Sequence, residues 1–471
     1  MPTYQMDAVL TAGGWRHDTV ITVSEQGLIT AVGAAAPGTG IERIPGAIVP
    51  GMPNAHSHAF QRAMAGDAEF RIGAHESFWT WREAMYALAN GIGPDELELI
   101  ARQLFIEMLK AGYTSVAEFH YLHRSQDGSF DGGSALWQAV DAAAESAGIG
   151  LTLLPTLYLS SDFGPRPLLP EQQRFGLSVR EFLDAAAARR QALAGAHRPL
   201  LYSGAALHSL RAVPLEPLHE AVAGLRAIDA SGVIHIHVAE QLREVRACLE
   251  HCGKRPIELL LGTGLLDAHW CLVHATHATG AEIRAVAHSG ASICLCPSTE
   301  GNLGDGFFDA ARMLRARGGI CIGSDSEATI DPSEELRWLE YQQRLKRRGR
   351  SVLATRREPH VGARLWREAA RTGARALGQP VGVIEVGRRA DWLVLDTGHP
   401  ALAGAQDERV LDRLVFGNRP GVIRHVMVGG RWVIRDGRHE AEDASGRAFV
   451  EWQRRRAAAA APPGRPRLGE A

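Results

Sequence analysis

Eight short apolar segments, most of them followed by a helical pattern, constrain this chain more than any other feature. They fall at residues 47–49, 114–119, 151–157, 201–207, 233–238, 271–274, 292–296 and 319–323. Strands of this kind that alternate with helices pack as a parallel sheet covered by helices. Eight such units favour a closed (β/α)8 barrel of the TIM type over a doubly wound sheet. The clearest helix is expected over 94–111, where Leu97, Ile100, Ala101, Leu104, Phe105 and Met108 share one face and Gly112 can cap the end. Further helices are expected over 240–251, 279–288 and 333–348. No GxGxxG or GxxxxGK[ST] stands at a strand–helix junction, so nucleotide-phosphate binding has no support.

The two chain ends have a different texture. Val20 to Val23 and Leu28 to Val32 flank Ser24-Glu25-Gln26-Gly27, a hairpin pattern. Near the other end, residues 390–395 read as a strand, and residues 422–428 and 431–434 flank the two-residue turn Gly429-Gly430. Neither end can build a core alone. Residues 1–48 and 378–445 are therefore expected to form one composite β-sandwich, with the barrel, 49–377, inserted between them. Residues 446–471, with Arg454-Arg455-Arg456 and an Ala/Pro run, are expected to form a terminal helix that frays.

Composition excludes several classes. The 471 residues are 45% apolar and 22% charged, with a net charge of −2, so neither a nucleic acid nor an anionic membrane is favoured as partner. No apolar run is long enough to span a bilayer, and the first residues lack a signal-peptide pattern. Six cysteines without a CxxC pair suggest a reduced, cytoplasmic protein. Cys294/Cys296 and Cys248/Cys252 are expected to be small buried apolar groups rather than metal ligands.

Barrel chemistry lies where strands end and loops begin. There the sequence delivers His56-Ser57-His58 after strand one, His237-Val238-Ala239-Glu240 at strand five, His274 at strand six and Ser324-Asp325 after strand eight. His-x-His puts two imidazoles on one face of an extended chain. Alone it says little: 20 histidines in 471 residues give roughly one such pair by chance. The chain has two, and His235 of the second pair is expected to lie deeper, hydrogen-bonded and structural. Three imidazoles and a carboxylate match a catalytic zinc site, and zinc lowers the pKa of water to about 7. Glu240 can then face the substrate, His274 can bind the water or a developing oxyanion, and Asp325 can accept the water's proton.

These residues resemble the amidohydrolase superfamily over nearly the whole chain. The stretches IVPGMPNAHSH, HVAE, LVHATH, CPSTEGNLGDG, GSDS and VGRRADWLVLD carry the resemblance. It implies a mononuclear, deaminase-type site. His56, His58, His237 and Asp325 would bind one Zn2+ per subunit, Glu240 would shuttle protons and His274 would orient the water. A binuclear site needs a bridging Lys on strand four, and LYSGAALHSLR has none. Imidazole-rich sites also accept iron or another divalent metal. The resemblance further implies a homodimer.

Within that branch, NAHSHAFQRAMAG, FWTWREAMY, EFHYLH and ALHSLRAV are most similar to members that hydrolyse N-formimino-L-glutamate to N-formyl-L-glutamate and ammonia. That similarity implies substrate contacts by Gln61, Arg82, Tyr121, His208 and Arg211. The chemistry is consistent, because a small-molecule substrate with two carboxylates calls for guanidinium donors. His120 and His123 are expected to be structural. One alternative is a deaminase of an aromatic amine, such as guanine or an S-adenosylhomocysteine-like nucleoside, with Trp79 and Trp81 as stacking groups. The other is a zinc-holding scaffold without catalysis.

Overall fold

The computed structural model describes residues 1–34, 41–69, 78–417 and 420–460. Its central sheet runs in parallel through eight positions. They are Met52–Ser57, Tyr113–His120, Gly150–Leu157, a fourth strand in two pieces (Leu201–Ser203 and Ala205–Ser209), Ile234–Val238, Trp270–His274, Ser292–Leu295 and Ile320–Ile322. Closure comes from a parallel bridge between Ser57 and Asp325. His58 N–H donates to Asp325 O at 3.1 Å, and Asp325 N–H donates to His56 O at 3.0 Å. Asn54 staples the same seam: its Nδ2 donates to Ser324 Oγ at 2.6 Å and its Oδ1 accepts Ser324 N–H at 3.1 Å. A Cβ on Gly323 would sit 2.7 Å from the His56 Cβ and carbonyl oxygen, so the last strand can approach the first only with glycine there.

The expected barrel is present, with one boundary corrected. Residues 47–49 do not form the first barrel strand. They belong to Ile41–Pro50, which pairs with Thr3–Thr11 and Trp392–Leu395 in the second sheet. The physical reason is the Gly51 joint: the apolar run continues through it, so composition alone does not mark where one sheet hands the chain to the other. The fourth strand is broken at Gly204, where a Cβ would meet Leu154 and Val233 at 2.6 Å.

Both chain ends build that second sheet, seven strands in one continuous path. The sandwich expected from sequence takes this single-sheet form. Trp392 and Val394 face a core of their own with Tyr4, Met6, Ile21, Ile48 and Met427, whereas Leu393 and Leu395 face the barrel core. Alternation along a strand thus glues the two bodies together. Tyr4 packs edge-on against Trp392 and Trp432, centroids 5.9 Å apart in each case. Gly429 and Gly430, φ 56° and 74°, make the anticipated tight turn.

The helix Pro94–Ala111 has its predicted bounds and buried face, with Glu96 accepting the Gly93 N–H at 2.9 Å and Gly112 at φ 109° ending it. At the C-terminus, Glu442–Ala460 is one helix. It includes the three arginines, and Gln453 and Arg456 donate to Ala63 O at 2.9 and 2.5 Å. This helix is therefore docked as far as Arg456, and residues 461–471 lie outside the described residues. Among the described residues no helix is long and apolar enough to cross a membrane.

Candidate active site

The candidate metal-binding groups converge because the ends of strands one, five and eight meet at one mouth. His56 Nε2 lies 3.2 Å from His58 Nε2 and 3.0 Å from His237 Nε2. Asp325 Oδ1 lies 3.2 Å from His56 Nε2 and 3.4 Å from His58 Nε2. Two of the rings are locked from behind: His58 Nδ1–H donates to Phe119 O at 2.9 Å, and His237 Nδ1–H donates to His208 O at 3.0 Å. Those donors leave Nε2 bare on both. Burial holds all three rings uncharged, lowering His58 to about 3. His58 and His237 thus turn two bare nitrogens toward His56 Nε2, with a carboxylate oxygen beside them, an arrangement a divalent cation satisfies. The residues fit such an ion.

His274 also comes close. His56, His237, His274 and Asp325 each bring one donor atom within 4.8 Å of the others, so five side chains surround a site that needs four. Charge sets His274 apart from the other rings. Burial opposes a proton on His274, but Glu240, Glu300 and Asp325 outweigh it and raise the ring to about 10. Its Nδ1 faces Glu300 Oε1 at 3.4 Å, and its Nε2 lies 3.8 Å from both Glu240 Oε1 and Asp325 Oδ2. A protonated ring donates hydrogen bonds and does not ligate, which favours His58 over His274 as the partner of His56 and His237. Asp325 then has two faces, Oδ1 toward the ligand set and Oδ2 toward His274. Burial pushes Glu240 up to about 7, suited to giving and taking a proton near neutrality.

The expected substrate residues surround the same cavity, which holds about 720 Å³ including its open mouth. His58, Gln61, Arg82, Tyr121, His208, Arg211, His237, Glu240, His274 and Asp325 all line it. Gln61 Nε2 donates to Tyr121 Oη at 2.9 Å, and its buried Oε1 has no partner among the described residues. Arg82 is buried, donates to Tyr158 Oη at 3.1 Å and lies over the Tyr86 ring at 5.0 Å. His208 bonds Ser209 Oγ at 3.1 Å and packs on Tyr158 at 4.5 Å. His56 lies at the cavity floor and does not line its wall. Trp81 lines the wall, whereas the Trp79 side chain lies outside the described residues.

The residues expected to be structural are placed so. His235 bonds Ala376 O at 2.8 Å below the site. His120 and His123 are buried against Leu122 O and Thr156 O at 2.6 and 2.8 Å. Of the cysteines, Cys248, Cys294 and Cys296 are buried as expected, but Cys252 is exposed because it ends its helix.

Three carboxylates escaped sequence reasoning. Glu300 supports His274. Glu118 clamps the His-x-His segment, accepting Ser57 Oγ–H at 2.6 Å and Ala59 N–H at 2.7 Å, while burial pushes it up to about 8. Glu244 holds the loop after strand five. Glu300 lies inside CPSTEGNLGDG, which could have flagged it; Glu118 and Glu244 carry no local signal.

The sequence pattern of the amidohydrolase family matches residues 47–433. The chain is 47% identical to a formimidoylglutamate deiminase of Pseudomonas aeruginosa, over 94% of this chain and 97% of that one. Its fold is similar to an amidohydrolase from Brucella melitensis at TM-score 0.90 and 38% identity, covering 97% and 99% of the two chains. An adenosine deaminase from Xanthomonas campestris, described with bound zinc, shares the fold at TM-score 0.78 and 22% identity, covering 96% and 98%. The chain belongs to the amidohydrolase family.

Proposed function

We propose that this protein is a hydrolase that converts N-formimino-L-glutamate and water to N-formyl-L-glutamate and ammonia, using one Zn2+ held by His56, His58, His237 and Asp325. The observation that carries the reading is one cavity with the cation-binding cluster on its floor and Arg82 and Arg211 in its wall. Similarity to the P. aeruginosa deiminase supports the same substrate.

A divalent cation there supplies Lewis acidity, making water acidic enough to attack near neutral pH. Asp325, through Oδ2, takes the proton of the attacking water. His274, held charged by its carboxylate neighbours, donates to the oxygen as negative charge develops on it. A new C–O bond forms at the formimino carbon. The C=N π bond opens onto the terminal nitrogen, which takes a proton from Glu240. Glu240 then takes the hydroxyl proton as the C=O bond forms, the proton held by Asp325 passes to the nitrogen, the C–N bond breaks, and ammonia departs with both water protons, leaving the formyl group on glutamate. Arg82 and Arg211 hold the carboxylates, with Gln61, Tyr121 and His208 completing the contacts. The family resemblance supports histidine breakdown as the setting, the cytoplasm as compartment and a homodimer as assembly.

A second reading, deamination of an aromatic amine, is favoured by Trp81 in the cavity wall. Ammonia release from N-formimino-L-glutamate, N-formimino-L-aspartate, guanine and S-adenosylhomocysteine, with metal analysis of the same sample, separates the two. Turnover confined to the formimino amino acids is expected. Preference for the ring substrates would sink the first reading, and no turnover of any with zinc bound would leave a metal-holding scaffold.

A further inference from the structure

The helix after the fifth barrel strand carries a carboxylate that the proposed reaction does not use. Glu244 stands in the first turn of Leu242–Cys252 and lines the cavity with Glu240 and Arg211. Its Oε1 accepts the Ala239 N–H at 3.0 Å, and its Oε2 accepts the Glu240 N–H at 3.0 Å. Hydrogen bonds to a charged acceptor are stronger than neutral ones. They hold a backbone that needs holding. Ala239 lies at φ 52°, a left-handed conformation that alanine keeps only where its surroundings impose it. That turn carries the chain from the metal ligand His237 to Glu240.

Glu244 also shares the cavity wall with Arg211. Burial pushes its carboxyl up, and the Ala239 N–H and the Arg211 guanidinium act against that push; at Arg211 burial opposes the charge, and Tyr158 and then Glu244 favour it. Helix capping alone does not account for this placement. A capping box bonds the amide of the N-cap residue, here Gln241, whereas Glu244 takes the amides of the two residues before it.

We propose that Glu244 is a positioning residue that couples recognition of the substrate carboxylate at Arg211 to the placement of Glu240. The proposal rests on the functional reading above for its substrate. Its test uses the zinc-loaded full chain and the variants Glu244→Gln and Glu244→Ala. Three measurements are compared: kcat and KM for N-formimino-L-glutamate, the Kd of the product N-formyl-L-glutamate, and hydrogen exchange at the amides of residues 239 and 240.

In Glu244→Ala, exchange at those two amides should speed up by about tenfold or more. In Glu244→Gln, with zinc content unchanged, kcat should fall by about tenfold or more through misplacement of Glu240. Product should bind about two- to fivefold tighter, because a negative charge beside Arg211 is gone. Slower turnover with tighter binding is a combination that loss of a helix cap does not produce. A lower Tm with kcat and Kd both within twofold of wild type would reduce Glu244 to a cap and overturn the proposal, as would unchanged exchange. Failure of the wild-type enzyme to release ammonia would instead sink the functional reading. The exchange arm needs no substrate and would still decide whether Glu244 holds the 239–240 turn.

Discussion

The floor and the wall of the cavity are built by different means. On the floor, His56, His58, His237, His274 and Asp325 stand at strand ends, and backbone carbonyls or carboxylates behind the rings fix His58, His237 and His274. The wall draws Gln61 from a short 3-10 helix, Arg82 from the helix Phe78–Gly91, and Arg211 from the loop after strand four. Here side chains hold side chains: Gln61 bonds Tyr121, Arg82 bonds Tyr158, and His208 bonds Ser209. A floor tied to the backbone tolerates no change of ligand, because a catalytic metal needs fixed geometry. A wall of side chains held by side chains can change its specificity without disturbing the metal below.

Substitutions can break or sharpen this contrast. Asp325→Ala should have the largest effect, removing bound zinc and lowering turnover by about 10³-fold or more; metal analysis beside the rate checks both, and an inactive variant that keeps its zinc would contradict the ligand assignment. Glu240→Gln should keep its zinc and lose about 10²–10⁴-fold in kcat. Loss of metal in that variant would place Glu240 among the ligands instead. On the wall, Arg211→Met should cost about 10²-fold in kcat/KM for the dianionic substrate at full zinc content, and far less for N-formimino-glycine, which has one carboxylate fewer. Equal losses on the two substrates would show that Arg211 does not read the second carboxylate. Tyr121→Phe should be mildest. It keeps the ring against Phe175 and His208 and removes the hydroxyl that orients Gln61, so about a five- to tenfold fall in kcat/KM is expected.

The sequence made the floor legible for a physical reason. His-x-His on an extended strand, His237 three residues before Glu240, and Asp325 after a short strand occupy positions that a barrel necessarily gathers at one end. Their roles follow from residue type once the barrel is assumed. The wall was legible mainly through resemblance, because whether a long side chain turns inward depends on its rotamer and its neighbours. Glu118 shows the gap from the other side. Nothing in YTSVAEFH distinguishes it from a solvent-facing acid, yet it is buried beneath the metal pair and clamps both flanks of His58. The misplaced first strand has a related cause: a run from residue 47 through Ser57 is buried throughout, so alternation could not mark the change of sheet.

What the sequence determined by itself was the order of eight strand–helix units, the small domain shared by the two chain ends, and the residue types delivered to the barrel mouth. Each follows from local periodicity and turn chemistry, which act over a few residues. Tertiary structure alone decided the charge around His274, because Glu240, Glu300 and Asp325 reach it from three other segments. It likewise decided that Glu244 reaches back to the strand-five turn. Electrostatics in a buried site depends on distances between segments far apart in the chain, and no local pattern encodes those distances.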